Sequence, residues 1–456
     1  MARMWNGTGG VGAGRRERPY TAGTTPIALL EAPMPDTHFW HGFADMHSVR
    51  SAEVVFRRGE GVWLEDVDGR RYLDATAGLW YCAVGYGRRE IADAVAEQMT
   101  RLAAYSSFGA YTTEPTVDLA ARLAALAPID DAVVFLGSGG SDAIDTAAKL
   151  IRRYWDVMGR TEKRVIVSRE HGYHGMHAWG TSLAGIPLNK AGYGGDLIDD
   201  VHHVGVSDTE ALATLFAERG HEIAAFVGEP VIGAGGVIPP EPGYWAEVQR
   251  LCRAYDVLLV ADEVITGFGR MGTMWGSQRF GIQPDIITFA KCVTSGYLPL
   301  GGLLVGKRVR APFWDDPVPG AVFRHGYTYS GHATACAAAS ANLDIIEREG
   351  LVARAGSLEP VLAAAVARLH DHPLVAGTRV VGLTAAVQLT AEALAADPGV
   401  ADRAVNATRA AGVVTRALRG GALQVSPAFV ITPDEIDILV KGFAAGLDAV
   451  EAAGKA

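Results

Sequence analysis

The stretch DIITFAKCVTSGYLPLGGLLV, residues 285–305, contains two apolar runs that predict buried β-strands, 285–289 and 301–305. Only eleven residues join the two runs, and they include Gly296 and Pro299. A pair of parallel strands needs a longer connection, usually a helix. We therefore predict that the second run lies antiparallel to its neighbours, with Lys291 at the start of the turn between them.

Four more short runs of β-branched and apolar residues precede this stretch, and they are also predicted to be strands. They are residues 132–136, 164–168, 223–228 and 257–261. Segments with helical spacing of apolar residues lie between several of them, an alternation that is typical of a mostly parallel α/β sheet. Because the runs are almost continuously apolar, both faces of this sheet are expected to be covered.

The patterns on either side of the sheet predict a second, smaller domain. Residues 54–74 contain two alternating runs around an Asp-Val-Asp-Gly turn, which indicates a hairpin, and residues 341–456 mix helices and strands. The expected parts are a mobile N-terminal extension (1–36), a large ligand-binding domain (76–340), and a smaller α+β domain built from both chain ends (37–75 and 341–456).

The composition limits the classes of partner. The 456 residues are 49% hydrophobic and 20% charged, as in ordinary globular proteins, and the formal net charge is −10. A basic face for nucleic acid or an anionic membrane is not expected, so a small molecule is the better candidate. The four cysteines are too scattered for a metal site or a disulfide framework, and no signal peptide or membrane span is recognised. A cytoplasmic location is expected.

Polar residues follow several predicted strands, where an open α/β sheet binds its ligand. In FLGSGGSDAID, residues 135–145, a glycine-rich turn opens a helix, and the amides of Gly140 and Ser141 suit a phosphate, although glycines also serve tight turns. Asp262 and Glu263 directly follow the most apolar strand; metal binding or a helix cap is the alternative to a cationic ligand there. In EHGYHGMHAWG, residues 170–180, the aromatic residues either pack in the core or face the crevice.

Lys291 is the remaining polar residue at a strand end. Burial lowers the pKa of a lysine and makes its neutral amine available as nucleophile and base. A phosphate-binding turn, a buried carboxylate and such a lysine are together the set that pyridoxal phosphate uses, through its phosphate, its ring nitrogen and a Schiff base.

From FWHGFADM near residue 39 to SPAFVIT near residue 432, the sequence resembles the class III (ω-amino acid or amine:pyruvate) aminotransferases of the pyridoxal-phosphate fold type I group. DEVITGFGRMG and PDIITFAKCVTSGYLPLGG carry the resemblance. It implies a mostly parallel seven-stranded sheet with one antiparallel strand, beside a smaller domain. It also implies pyridoxal 5′-phosphate as cofactor, no metal, and a homodimer with shared active sites; pairing of two dimers into a tetramer is left open.

The resemblance also assigns roles by position. Lys291 matches the Schiff-base lysine, and Asp262 matches the residue that pairs with the ring nitrogen. The other implied cofactor residues are Val264 and Tyr173 on the two ring faces, Gly140 and Ser141 at the phosphate, Thr328 from the neighbouring subunit, and Glu229 nearby. The implied substrate residues are Trp80, Phe108 from the other subunit, and Arg416 for a carboxylate, with Arg419 as its competitor. Two departures are SGGSD in the phosphate loop and Cys292, where glycine is common.

The implied reaction is a ping-pong transfer of an amino group from an amine or ω-amino acid to a keto acid, with pyruvate as the expected acceptor. An aminomutase, epimerase or decarboxylase on the same scaffold is the alternative. A noncatalytic protein with this fold would be expected to have lost Lys291 or Asp262, and both are present.

Overall fold

The computed structural model describes residues 37–49, 52–195 and 197–455, so the predicted extension 1–36 lies outside it. The chain divides into two units at Val54/Val55. The described part of the first unit holds one short helix, α1 Met46–Val49, and a hydrogen bond between His41 Nε2 and Glu53 Oε1 at 2.6 Å. All other elements belong to the second unit.

The second unit alternates strands and helices over most of its length. Its strands are β1 Phe56–Glu60, β2 Trp63–Asp66, β3 Arg71–Asp74, β4 Val133–Gly137, β5 Val165–Arg169, β6 Val201–Val204, β7 Ile223–Gly228, β8 Leu258–Asp262, β9 Ile286–Phe289, β10 Gly301–Val305, β11 Val375–Val380, β12 Ala385–Leu389, β13 Val413–Val414, β14 Ala417–Leu418 and β15 Ala422–Val425. Its helices are α2 Ala77–Trp80, α3 Arg89–Leu102, α4 Glu114–Leu126, α5 Gly140–Val157, α6 Ala178–Leu183, α7 Thr209–Arg219, α8 Tyr244–Ala254, α9 Gly276–Phe280, α10 Lys307–Trp314, α11 Ala333–Arg348, α12 Leu351–Ala367, α13 Ala391–Ala396, α14 Val400–Ala410 and α15 Pro433–Lys455. Short 3-10 turns cover Pro187–Lys190 and Lys291–Val293.

A seven-stranded sheet organises the unit, in the order β4-β10-β9-β8-β7-β5-β6. Strand β10 pairs antiparallel with both β4 and β9, whereas β9, β8, β7, β5 and β6 pair parallel. The fold class and the antiparallel direction of residues 301–305 are therefore confirmed. The physical reason is the short connection, which returns the chain after eleven residues without a crossover helix.

Helices cover both faces of this sheet, as the apolar runs predicted. Every residue of β7 and β8 is buried. On one face, α5 packs its apolar side against β9 and β10. On the other face, residues of α7 and α8 pack against β5 and β7. This burial fixes the strand ends, and so positions the loops that follow them.

One strand of the sheet, β6, was missed by the sequence-based prediction. Its sequence is VHHV, and it pairs parallel with β5 at the sheet edge. His202 and His203 are only half-buried there, so the strand carries no continuous apolar run. A continuous apolar run is expected only where both faces of a strand are well covered, and the side chains of β6 are covered less completely than those of β7 and β8.

Two four-stranded sheets lie outside the large one, in the orders β1-β2-β3-β13 and β11-β12-β15-β14. The predicted hairpin forms between β2 and β3, and β13 adds to it in parallel, with Val413 opposite Leu73. Segments from far apart in the sequence thus share one sheet. The division into the predicted large and small domains stays a prediction.

None of the described helices alone has both the length and the apolarity that a membrane span requires. One consecutive pair, α11 with α12, meets them jointly, but its axis bends by 60° at the break.

Candidate active site

A cavity of about 380 Å³ opens beyond the carboxyl ends of the parallel strands. Small-molecule sites typically have volumes of about 300–1,000 Å³, so this cavity is within their range. Five strand ends contribute to it. The predicted site residues that line it are Gly140 and Ser141 after β4, Tyr173 after β5, Glu229 after β7, Asp262 and Val264 at the end of β8, and Lys291 after β9. The structure therefore brings together seven residues that are widely separated in sequence.

Lys291 begins the turn after β9 with a left-handed backbone, at φ 51°. Its half-buried side chain lines the cavity. Burial lowers the pKa of Lys291, and the nearby carboxyl groups of Asp262 and Glu229 oppose this shift. The neutral amine is therefore more populated at a given pH than on a surface lysine, and a nucleophile or a base requires this neutral form.

Asp262 is fixed by three hydrogen bonds at the end of β8. Its Oδ1 accepts from Thr288 Oγ1 at 3.0 Å and from the Val264 amide at 3.2 Å. Its Oδ2 accepts from His174 Nδ1 at 2.7 Å, and both of these side chains are buried. A carboxylate held in this way is oriented before any ligand arrives, and it can compensate a buried positive charge in the cavity.

The neighbouring carboxyl group, Glu263, has a different environment. It is fully buried, and its oxygens accept hydrogen bonds from the amides of Gly276 and Ser277 at 2.8 and 2.6 Å. These amides are the first two of helix α9, so Glu263 caps that helix. The alternative of a helix cap, raised for the acidic pair, is therefore true of Glu263, while Asp262 faces the cavity.

Glu229 also lines the cavity, and its hydrogen bonds shape it. Its Oε1 accepts from the Tyr173 amide at 3.0 Å, and its Oε2 accepts from the Gly233 amide at 2.8 Å. Burial raises the pKa of Glu229, against the opposing influence of His174. Glu229 thereby fixes the backbone of Tyr173, whose ring lies in the cavity wall.

The first turn of α5 also lines the cavity. The Gly140 and Ser141 amides have no acceptor within the described part of the chain, and they belong to the first two of the 18 residues of the helix. A Cβ added at Gly140 would lie 3.0 Å from Val264 Cγ1, so glycine lets the turn approach that side chain. Free amides at the positive end of a helix are suited to an anionic group such as phosphate.

None of the predicted substrate residues is among the described residues that line the cavity. Trp80 is 2% exposed and does not line it, although its neighbours Leu79 and Tyr81 do. The guanidinium carbon of Arg416 lies 4.7 Å from the centre of the Trp80 ring. Burial lowers the pKa of Arg416, and its Nε has no hydrogen-bond partner among the described residues. Arg419, in contrast, donates from Nη1 to the Gly185 carbonyl.

The two residues that the resemblance assigns to a neighbouring subunit do not line the cavity of their own chain. Phe108 is 54% exposed, and Thr328 is also exposed. They lie in adjacent segments, because Ser107 Oγ donates to the Ser330 carbonyl at 2.8 Å. A Cβ added at Gly326 would lie 2.9 Å from Phe108 Cε1.

Sequence reasoning missed two parts of the site. It treated His174 only as one of several aromatic residues, although this side chain holds Asp262; its place next to Tyr173 was the available signal. It also left Cys292 unassigned, and the thiol donates to the Trp80 carbonyl at 3.1 Å. Nothing in the sequence indicated this contact, which joins positions 212 residues apart.

Comparison with known proteins matches residues 46–447 to the family model described as aminotransferase class-III. The chain is 38% identical to the diaminobutyrate–2-oxoglutarate transaminase of Halomonas elongata, over 85% of this chain and 88% of that protein. It is also 38% identical to the putrescine–pyruvate aminotransferase of Pseudomonas aeruginosa, with the same coverage. The structure of the ω-transaminase from Pseudomonas jessenii in complex with PMP superimposes with a TM-score of 0.86, at 34% identity, over 91% of this chain and 97% of that chain.

Proposed function

The chain belongs to the class-III aminotransferase family and is thus an enzyme that transfers amino groups; on that premise we propose which residues perform the transfer, with which cofactor and on which substrates. The observation that carries the proposal is one cavity that contains Lys291, Asp262 and the free amides of α5. The proposed donor is an amine or ω-amino acid, and the proposed acceptor is pyruvate. The putrescine–pyruvate relative supports this pairing.

We assign pyridoxal 5′-phosphate as the cofactor, because the donor set of the cavity fits its three functional parts. When bound, this group supplies an aldehyde carbon that exchanges amino groups and a ring that withdraws electrons from the substrate carbon. The Gly140 and Ser141 amides would hold the phosphate, and Asp262 would pair with the ring nitrogen. Val264 and Tyr173, which both line the cavity, would contact the ring. A PMP complex of a relative is consistent with this assignment.

Lys291 is the proposed catalytic residue, and it acts both as nucleophile and as proton carrier. Its Nζ, with a pKa lowered by burial, is able to take a proton from the substrate carbon and return it at a second position. Asp262, fixed by His174 and Thr288, is placed where its carboxyl group would stabilise a positive charge on the ring nitrogen. Glu229 holds the Tyr173 backbone and so maintains the cavity wall.

Arg416 is the proposed receptor for a substrate carboxylate, in preference to Arg419. Its Nε lacks a partner in the described structure. Its positive charge acts to lower the pKa of both Tyr173 and Lys291, so it is close enough to influence the cavity. Arg419 already donates to a carbonyl. A desolvated guanidinium without a carboxylate gains most from an incoming anionic substrate, because the fork of N–H donors matches a carboxylate.

We further propose a homodimer in which Thr328 and Phe108 of one subunit complete the site of the other. An exposed apolar surface supports this. It includes Tyr105, Phe108, Tyr111 and Tyr329, each more than half exposed, and patches of this kind are typical of interfaces. Further pairing into a tetramer and a cytoplasmic location stay predictions.

A donor panel tests the proposal. Amines and ω-amino acids are offered with pyruvate or 2-oxoglutarate, and alanine or glutamate formation is measured; Lys291→Ala should abolish both. With one amine and no keto acid, a transaminase stops after a single half-reaction, visible in the cofactor absorbance. Continued turnover without a keto acid would instead identify an aminomutase, epimerase or decarboxylase.

The shared site has its own experiment. Lys291→Ala subunits are mixed with subunits in which Thr328 and Phe108 are both replaced by alanine. Mixed dimers then contain one complete site, so activity should recover above the sum of the two parents. No recovery, in mixtures shown to exchange subunits, would contradict the shared site.

A further inference from the structure

The segment of residues 74–86, called here the wall loop, includes the irregular short helix α2 and supplies Leu79 and Tyr81 to the cavity. Its backbone is left-handed at Ala77, Gly78 and Trp80, with φ of 49°, 68° and 63°. Residues other than glycine rarely adopt this conformation, because the Cβ approaches the following carbonyl. The loop therefore needs contacts that hold the strained residues Ala77 and Trp80 in place.

Asp74 provides the first set of contacts, from within the loop. Its side chain is 1% exposed, and each of its oxygens accepts two hydrogen bonds. Oδ1 accepts from the Thr76 amide at 2.8 Å and from Thr76 Oγ1 at 2.6 Å. Oδ2 accepts from the Gly78 amide and from the Tyr86 hydroxyl, both at 2.7 Å. Four donors on one buried carboxylate tie the start of the loop to its end.

The second set of contacts comes from the turn that follows Lys291. Cys292 Sγ donates to the Trp80 carbonyl at 3.1 Å, at the strained residue between Leu79 and Tyr81. Ser295 Oγ accepts from the amides of Ala83 and Val84 at 3.2 and 3.3 Å. Burial raises the pKa of Cys292, so the group stays a thiol and keeps its donor. The turn that carries the lysine is thus hydrogen-bonded directly to the wall loop.

We propose that Asp74 and Cys292 are positioning residues that fix the wall loop relative to Lys291, and thereby set which amines the site accepts. This rests on the proposed aminotransferase function. Cys292 holds the loop at the point where it faces the cavity, and Asp74 holds its base. A residue without a side-chain donor at position 292 could not make this hydrogen bond.

The physical consequence concerns Leu79, which is 44% exposed and faces the cavity. Without the thiol donor, the Trp80 carbonyl loses its partner, and the strained backbone at that residue is held less firmly. Leu79 and Tyr81 then move more freely, and a bulky amine is excluded less strictly. Asp74 and Cys292 do not themselves line the cavity, so we expect their effect on the bound amine to pass through the loop.

Three cysteine variants test the proposal. Cys292→Ala removes the donor, Cys292→Ser keeps one, and Cys252→Ala is the control, since Cys252 is equally buried but packs between α8 and the sheet. We measure kcat/KM for the narrowest and the bulkiest amine that the wild-type holoenzyme accepts. The kcat/KM of the narrow amine divided by that of the bulky amine should fall about threefold or more in Cys292→Ala, as expected for one lost hydrogen bond. In Cys292→Ser and Cys252→Ala this ratio should stay near its wild-type value. In Asp74→Asn, which leaves the Gly78 amide without its carboxylate, the fall should approach about tenfold.

Hydrogen exchange of peptides covering residues 76–84 is the readout that does not depend on turnover. Exchange there should accelerate in Cys292→Ala and Asp74→Asn, but not in Cys292→Ser or Cys252→Ala. Unchanged exchange in Cys292→Ala, or Cys292→Ser behaving like Cys292→Ala, would overturn the proposal. If wild type fails to transaminate, the proposed function fails, while the exchange data still decide whether the two residues hold the loop.

Discussion

Replacing His174 tests whether the hydrogen bond to Asp262 matters for turnover. The Nδ1–Oδ2 distance is 2.7 Å, and the two side chains are 1% and 3% exposed. A hydrogen bond to a buried charged group contributes about 1.5–3 kcal/mol. Since about 1.4 kcal/mol is a factor of ten, His174→Phe should lower kcat/KM by about 10- to 150-fold. Phenylalanine keeps the ring volume, so the loss reflects the donor and not a cavity.

The assay is steady-state kinetics at saturating cofactor, with cofactor retention after gel filtration measured by absorbance. His174→Asn keeps a nitrogen donor and should restore part of the activity. His177→Phe is the matched control: it lies on the same loop, is half-exposed and pairs with Asp142 at 2.9 Å. Such an exposed pair contributes about 0–1 kcal/mol, so its effect should stay below about fivefold. A His174→Phe enzyme that is folded and within threefold of wild type would refute the assigned role.

Four further outcomes are expected. Asp262→Asn should lower kcat at least about 100-fold with unchanged circular dichroism, because an amide would not stabilise a positive charge on the ring nitrogen; this factor corresponds to about 2.7 kcal/mol of transition-state stabilisation, and near-normal turnover would contradict the assignment. Glu263→Gln should instead lower the free energy of unfolding by about 1–3 kcal/mol in urea titrations, with turnover per folded molecule retained, since this residue caps α9. Arg416→Leu should raise KM for ω-amino acids far more than for simple amines, and an equal rise for both would exclude the carboxylate role. Burial lowers the pKa of Lys163 to about 8 in the folded chain, against about 10.4 in the unfolded chain. Between these two pH values the unfolded chain binds one more proton than the folded chain, so the free energy of unfolding rises with pH. Lys163→Met should flatten this rise in denaturation curves recorded across the range, and an unchanged slope would refute the assigned pKa.

Local patterns in the sequence predicted six of the seven strands of the large sheet and the residues at its edge. Apolar runs mark strands because both faces of a parallel sheet are buried, and an eleven-residue connection leaves β10 no route except antiparallel. Once strands run parallel, their carboxyl ends meet at one edge. Lys291, Asp262 and the start of α5 were therefore predictable as neighbours without knowledge of any side-chain contact.

The tertiary structure alone decided which way individual side chains point and what they touch. Asp262 and Glu263 are adjacent and chemically similar, yet one faces the cavity and the other caps α9, because successive side chains at a strand end point in opposite directions. The partners of His174 and Cys292 lie 88 and 212 residues away in the sequence. Such contacts depend on how loops from different strands pack over the sheet edge, and a sequence pattern with a period of two or 3.6 residues contains no information about that packing.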